Sequence, residues 1–195
     1  MPQAPLPRCS VLILAGGRGQ RMGGQDKGLL DWQGKPLVSY AAALARPYSD
    51  DLIISCNRNA NVYAGYADRL VQDDSPDFPG PLAGIRAGLA TARHTHLLVL
   101  PCDAPLLDAE LLERLLLASA EASDVVHMLR CGTQWEPLFS IIPVAMREPI
   151  EQAWHQGDRS PRHVFSNLGL QAVDCPANDP RLANLNTPEL LYHAR

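Results

Sequence analysis

Residues 10–30 read SVLILAGGRGQRMGGQDKGLL and combine an apolar run with a glycine-rich basic segment. The apolar run, SVLILAG, is typical of a strand that is buried on both faces. Five of the nine residues 16–24 are glycines, and Arg18, Arg21 and Lys27 add positive charge. Glycine lets the backbone approach a ligand closely, and arginine and lysine bind phosphate oxygens. The stretch therefore predicts a strand that leads into an anion-binding loop.

Neither of the two common glycine-loop motifs fits this segment. The dinucleotide fingerprint GxGxxG fits Gly17 and Gly19, but its third glycine is replaced by Met22. The P-loop motif requires Ser or Thr after its lysine, whereas Gly28 follows Lys27. Two interpretations remain, a loop whose backbone N–H groups contact phosphates and a solvated surface loop. The position of the loop at the end of a strand favours the first.

Strand-like and helix-like segments alternate along the chain. The predicted strands are 10–16, 51–57, 68–74, 96–103, 123–129, 133–142 and 169–175, and the predicted helices are 35–47, 82–93, 108–120, 143–157 and 187–194. This alternation favours a mostly parallel sheet that is covered on both faces. We expect an α/β fold, a single-domain Rossmann-like three-layer sandwich with a mostly parallel central sheet, that occupies residues 1–195.

Composition excludes several classes of protein. Apolar residues make up 46% of the chain and charged residues 19%, which is ordinary for a globular protein. The net charge of −4 disfavours a dedicated nucleic-acid binder, and no apolar run is long enough to predict a membrane helix. The five cysteines show no metal-ligand spacing. We therefore expect reduced thiols, a cytoplasmic location, no nucleic-acid partner and no membrane association.

Candidate site residues follow three of the predicted strands. They are the glycine loop after the first strand, 55–57 after the second, and 101–103 after HLLVLPCD. In parallel α/β sheets, ligands bind beyond the carboxyl ends of the strands. Asp103 would then lie beside bound phosphates, where a carboxylate requires an intervening cation such as Mg²⁺. The alternative is that Asp103 only caps a turn.

Four motifs occur in an order that points to a known family. LAGGRGQRMGGQDKGLL, PGPLAGI, PCDAPLL and NLNTPEL together resemble the MobA family of molybdenum cofactor guanylyltransferases. The resemblance extends from Val11 to Leu190. Related cytidylyltransferases look more like LAAG at the first motif, so Gly17 favours guanine. The resemblance implies that a terminal phosphate of molybdopterin attacks the α-phosphorus of GTP, with release of pyrophosphate.

The resemblance also implies roles for individual residues. The GTP-binding residues would be Leu14, Ala15, Gly16, Gly17, Arg18, Lys27, Ser55, Asp73 and Asp103. Asp103 would bind Mg²⁺ as well, and Asn184 and Asn186 would lie near molybdopterin. The family often has asparagine where this chain has Ser55, so either Ser55 or Asn57 reads the base.

Catalysis is expected to depend on positioning and electrostatic stabilisation, because the sequence contains no nucleophile elbow and no zinc motif. Arg21, Lys27 and Asp103 are the expected catalytic residues.

Arg159 lies in a polar stretch late in the chain, GDRSPRHVF, that we expect to be a loop. It would either bind a second phosphate-bearing substrate or be solvated.

Two substrates, GTP and molybdopterin, are therefore predicted partners. Transient contacts with molybdenum-insertion proteins and with the apo-enzymes that receive the product are a further expectation. The alternatives are a transferase that uses CTP or makes a nucleotide sugar, and a non-catalytic carrier of molybdopterin. A carrier would keep the glycine loop but would not require Asp103, whose presence favours an enzyme.

Overall fold

The computed structural model describes residues 6–17, 25–73 and 80–185. Its strands are β1 (Ser10–Leu14), β2 (Asp31–Trp32), β3 (Lys35–Pro36), β4 (Leu52–Ser55), β5 (Arg69–Val71), β6 (His96–Pro101), β7 (Val126–Cys131), β8 (Gln134–Pro143) and β9 (Leu170–Cys175). Its α-helices are α1 (Leu37–Ala45), α2 (Ala60–Tyr63), α3 (Pro81–Thr91), α4 (Ala109–Glu121), α5 (Arg147–His155) and α6 (Pro161–Leu168). The predicted helix 187–194 lies outside the described residues.

A central sheet of seven strands has the order β5-β4-β1-β6-β8-β7-β9. Strands β5, β4, β1 and β6 are parallel, β9 is parallel to β7, and β8 is antiparallel to both of its neighbours. The short strands β2 and β3 form a separate hairpin. The predicted α/β fold with a mostly parallel sheet is confirmed. The ends of β1, β4 and β6 meet at one edge, which we name the carboxyl edge.

Helices cover both faces of the sheet and make the fold three layers thick. On one face Val38 of α1 and Leu112 of α4 belong to one buried apolar cluster. On the other face Ile85 of α3, Ile150 of α5 and Phe165 of α6 belong to a second. Burial on both faces explains why the strand segments are nearly continuous apolar runs. No helix in the described part of the chain is long and apolar enough to cross a membrane.

Several segments differ from the sequence prediction, which contained neither α2 nor the β2–β3 hairpin. Pro143 does not begin a helix but ends β8, where it lies opposite His96 of β6. The stretch GDRSPRHVF is not a loop throughout, since α6 begins at Pro161. The Ser160 hydroxyl accepts a hydrogen bond from the His163 N–H, and Phe165 is buried. Because this segment has a helix N-cap and an apolar face, it forms a helix although its composition is polar.

Helix α3 packs against the sheet through glycine, and this contact predicts a stability effect. A Cβ at Gly84 would lie 2.7 Å from Leu14 Cδ2 and 2.8 Å from Ser55 Oγ. We expect Gly84→Ala to lower the free energy of unfolding by about 1–3 kcal/mol, because alanine overpacks this site. Urea unfolding measures the change. In the control Gly65→Ala, the new methyl meets nothing closer than 3.5 Å, and an equal loss there would contradict the steric cause.

Candidate active site

A cavity of about 300 Å³ lies at the carboxyl edge of the sheet. It is formed by the ends of β1, β4 and β6, the start of α3, Leu138 of β8 and parts of the segments that follow β1, β5 and β6. The lining residues are Leu14, Ala15, Gly16, Gly17, Lys27, Ser55, Asp73, Gly80, Pro81, Gly84, Pro101, Cys102, Asp103 and Leu138. Residues that are far apart in the chain thus share one concave surface, as expected for a ligand site in a parallel α/β sheet.

Most of the candidate residues named from the sequence line this cavity. They are Leu14, Ala15, Gly16, Gly17, Lys27, Ser55, Asp73 and Asp103. Arg18, Arg21 and Asn186 lie outside the described residues, so their predicted roles stay predictions. Asn184 and Arg159 are among the described residues but do not line the cavity.

One cation and one carboxylate form an ion pair in the cavity wall. Lys27 Nζ lies 3.6 Å from Asp103 Oδ2. Asp103 is only 8% exposed. Burial raises the pKa of the Asp103 carboxyl above its ordinary value, and the nearby Lys27 ammonium opposes that shift. Because a buried carboxylate is costly without positive charge, Asp103 requires the Lys27 ammonium, a metal cation or both beside it.

Asn184 lies close to Asp103 in the fold although 81 positions separate them. The backbone N–H of Leu185 donates a 2.9 Å hydrogen bond to the Asp103 carbonyl oxygen, so the segment 183–185 passes beside the end of β6. Asn184 Oδ1 is buried and accepts no hydrogen bond from the described residues. Buried polar atoms normally have partners. Among the described residues, this amide oxygen therefore has no partner, and it lies near the end of β6.

Ser55 and Asn57 occupy different positions relative to the cavity. The sequence alone did not decide which of the two reads the base. Ser55 ends β4, lines the cavity and is almost fully buried. Because β4 ends there, Asn57 does not continue the strand face. Asn57 Nδ2 instead donates a 2.8 Å hydrogen bond to Asp73 Oδ2, and its Oδ1 accepts one from the Asp73 N–H at 3.3 Å. Asn57 therefore orients Asp73 in the cavity wall.

Arg159 stacks on an aromatic ring outside the cavity lining. Its Cζ lies 3.7 Å from the centroid of Trp154, and Arg86 contacts the same ring at 4.3 Å. Arg159 Nη1 also donates to the backbone oxygens of Trp154 and Asp158. These contacts orient the guanidinium, and its predicted role in binding a substrate stays a prediction.

Cys102 is a lining residue whose thiol is unsuited to nucleophilic catalysis. It is buried between Pro101 and Asp103, and burial raises the pKa of its thiol well above the ordinary value. A reactive cysteine requires a lowered pKa. Besides this thiol, the described cavity lining offers backbone amides, one ammonium, two carboxylates and the Ser55 side chain, which suit binding of a polyanion together with a cation.

Comparison with known proteins identifies relatives along the whole chain. A family model described as a MobA-like NTP transferase domain matches residues 11–173. A molybdenum cofactor guanylyltransferase of Pseudomonas paraeruginosa strain PA7 is 69% identical over 98% of this chain and 96% of that protein. A protein of the same name from Pseudomonas aeruginosa strain LESB58 is 66% identical over 100% and 98%.

Solved structures share the architecture at lower sequence identity. Molybdopterin-guanine dinucleotide biosynthesis protein A from Archaeoglobus fulgidus has a TM-score of 0.77 and 23% identity over 95% of this chain and 96% of that chain. A 2-C-methyl-D-erythritol 4-phosphate cytidylyltransferase from Thermus thermophilus has a TM-score of 0.73 and 17% identity, over 96% and 97% of the two chains. At these identities the likeness demonstrates the fold alone.

Proposed function

Because this chain belongs to the MobA-like NTP transferase family, we propose that it transfers GMP from GTP to the terminal phosphate of molybdopterin. A bond forms between that phosphate and the α-phosphorus of GTP, the bond to the β-phosphate oxygen breaks, and pyrophosphate leaves. The observation that carries the proposal is the meeting of the glycine-lined end of β1, Lys27 and Asp103 in one cavity.

Lys27 and the end of β1 are suited to hold the triphosphate. The Lys27 ammonium lies in the cavity wall, where it acts as a point charge on phosphate oxygens. Gly16 and Gly17 line the same wall and leave the backbone open to close approach. Arg18 and Arg21 would add charge to this side. These groups offset the repulsion between the two anionic substrates and stabilise the negative charge that grows on pyrophosphate.

Asp103 is the residue that would hold Mg²⁺, and its surroundings fit that role. The described residues contain no cluster of three or more His, Cys, Asp or Glu that could bind a metal. Mg²⁺ is usually bound by only one or two carboxylates, and oxygens of substrate phosphates and of water complete its coordination shell. A single buried carboxylate such as Asp103 fits that pattern. Bound there, Mg²⁺ would supply electrostatic stabilisation of the leaving pyrophosphate.

The nucleophile comes from the second substrate, so the protein requires no strong base. A phosphate monoester has a second pKa near ~6 and is largely ionised at neutral pH. The protein then has to align the attacking oxygen with the α-phosphorus, as in other phosphoryl transfers. Asn184 lies beside Asp103, its amide oxygen accepts no hydrogen bond from the described residues, and we propose that it orients molybdopterin. Asn186 and Arg159 are proposed to contribute to the same binding.

Partners beyond the two substrates are also part of this proposal. Delivery of product to apo-enzymes, and transient contact with molybdenum-insertion proteins, would follow from the reaction. A cytoplasmic location stays a prediction from the cysteine content.

Pyrophosphate release with each of the four nucleotides tests the proposed reaction. The assay combines the protein, Mg²⁺ and molybdopterin with GTP, CTP, ATP or UTP, and a parallel series replaces molybdopterin with sugar 1-phosphates. We expect release with GTP and molybdopterin. Faster release with CTP, or release only with a sugar phosphate, would replace the proposal with the corresponding alternative.

The choice of base is expected to depend on Ser55. Because Ser55 lines the cavity at the end of β4, we expect Ser55→Ala to narrow the preference for GTP over ATP by roughly two- to tenfold, the effect of one hydrogen bond. The ratio of kcat/KM values measures the preference. Asn57→Ala should weaken the binding of both nucleotides, because it releases Asp73.

Ser119→Ala is the matched control for this test, since Ser119 is equally buried but lies on α4 and hydrogen-bonds the Leu116 carbonyl. An unchanged GTP-to-ATP ratio in Ser55→Ala would contradict the role of the hydroxyl. Recognition of the base would then rest on backbone groups of Leu14–Gly16.

A further inference from the structure

Four residues next to the cavity form a polar cluster. Asp26 precedes Lys27, and Arg58, Asn59 and Tyr63 come from the segment that follows β4 and from α2. We name these four residues the Asp26 cluster. Its contacts join the segment after β4 to the two parts of the chain that carry Gly17 and Lys27.

Arg58 binds the backbone on both sides of residues 18–24. Its Nη2 atom donates to the Gly17 carbonyl oxygen at 3.2 Å and to the Gln25 carbonyl oxygen at 3.1 Å. A guanidinium presents its donors in a rigid plane, so two such contacts fix the positions of both acceptors. Arg58 therefore sets the separation of Gly17 and Gln25.

Asp26 is the buried centre of the cluster. Its Oδ1 accepts a 2.5 Å hydrogen bond from the Tyr63 hydroxyl, and its Oδ2 accepts one from Asn59 Nδ2 at 2.8 Å. Arg58 Nε lies 3.7 Å from the same Oδ2, and the Asp26 side chain is only 7% exposed. Burial, and then the contact with Asp26, raises the pKa of Tyr63, which keeps its proton. A carboxylate with this many partners is held in a single orientation.

The backbone just after Lys27 is fixed by close packing. A Cβ at Gly28 would lie 2.5 Å from the Tyr63 hydroxyl oxygen, so any side chain there would displace the ring or the backbone. Tyr63 is itself fully buried. Lys27 is thus flanked by Asp26, whose carboxylate is hydrogen-bonded, and by Gly28, which contacts Tyr63 directly.

We propose that Arg58 is a positioning residue for nucleotide binding, which acts through Gly17 and through Asp26 to place Lys27 in the cavity wall. This inference rests on the proposed GTP-dependent function. It assigns Arg58 no contact with substrate. Its expected signature is a loss of affinity for the triphosphate with little change in the affinity for molybdopterin, since Arg58 contacts the backbone of Gly17 and Gln25, whereas the segment of Asn184 contacts the backbone of Asp103.

Steady-state kinetics of Arg58→Gln test the proposal. We expect the KM for GTP to rise about tenfold, the effect of a lost charge-assisted contact, while the KM for molybdopterin stays within about twofold. Arg46→Gln is the matched control, because Arg46 is also a partly exposed arginine and pairs with Asp68 away from the cavity. Thermal unfolding of both variants identifies any general loss of stability.

A double mutant separates positioning from a general structural effect. If Arg58 acts through Lys27, then Arg58→Gln should weaken GTP binding much less in a Lys27→Ala background than in the wild type. Equal losses in the two backgrounds, or a KM for GTP that matches Arg46→Gln, would overturn the proposal. Absence of GTP-dependent activity in the wild type would instead refute the proposed function, so the two failures are distinguishable.

Discussion

Asp103→Asn is expected to reduce pyrophosphate release roughly 100-fold or more, the largest effect of any single substitution at this site. Asparagine keeps the shape of the side chain and removes its charge. Asp103 is buried in the cavity wall beside Lys27, so its charge is the feature that would hold Mg²⁺ against the phosphates. Turnover with saturating GTP, molybdopterin and Mg²⁺ measures the loss.

Binding without metal distinguishes this role from simple damage to the fold. In the absence of Mg²⁺, GTP should bind Asp103→Asn as tightly as the wild type or slightly more tightly, because a like charge has been removed. Asp174→Asn is the control, since that carboxylate is exposed and pairs with Arg130. A folded Asp103→Asn protein with normal Mg²⁺-dependent activity would refute the metal role and would restore the carrier alternative.

Lys27→Ala is expected to weaken GTP binding at least tenfold, because a charge-assisted contact is worth roughly 1.5–3 kcal/mol. Loss of the ammonium also leaves the buried Asp103 carboxylate without the cation that lies 3.6 Å away. The pKa of Asp103 should rise further as a result. Titration calorimetry with GTP measures the affinity.

Lys35→Ala is the matched control for this substitution, because Lys35 is an exposed lysine on the β2–β3 hairpin. It should bind GTP like the wild type. If a folded Lys27→Ala protein kept wild-type affinity, Lys27 would be excluded as a phosphate ligand.

The cavity residues were predictable because parallel strands impose a simple geometry. Buried apolar runs identified β1, β4 and β6, and the carboxyl ends of parallel strands necessarily meet at one edge. Asp103, Ser55 and the glycines after β1 therefore converge without any knowledge of side-chain contacts. The motif resemblance added the identity of the substrates, which strand geometry cannot provide.

Features that depend on long-range polar contacts were not predictable. The hydrogen bond between Asp26 and Tyr63 joins residues 37 positions apart, and no local pattern marks it. The pairing of Asn57 with Asp73 depended on where β4 ends, and strand ends are poorly defined by sequence.

Helix α6, in contrast, could have been predicted from the sequence. Pro161, Val164 and Phe165 share its apolar face, and Ser160 precedes them as an N-cap.

Transfer of a labelled phosphate tests the central claim most directly. The protein is incubated with molybdopterin, Mg²⁺ and GTP that carries radioactive phosphorus at either the α or the γ position. We predict that the α label appears in a dinucleotide that contains molybdopterin and guanine, while the γ label appears in pyrophosphate. Retention of both labels in GTP that remains bound to the protein, with no dinucleotide formed, would contradict guanylyl transfer.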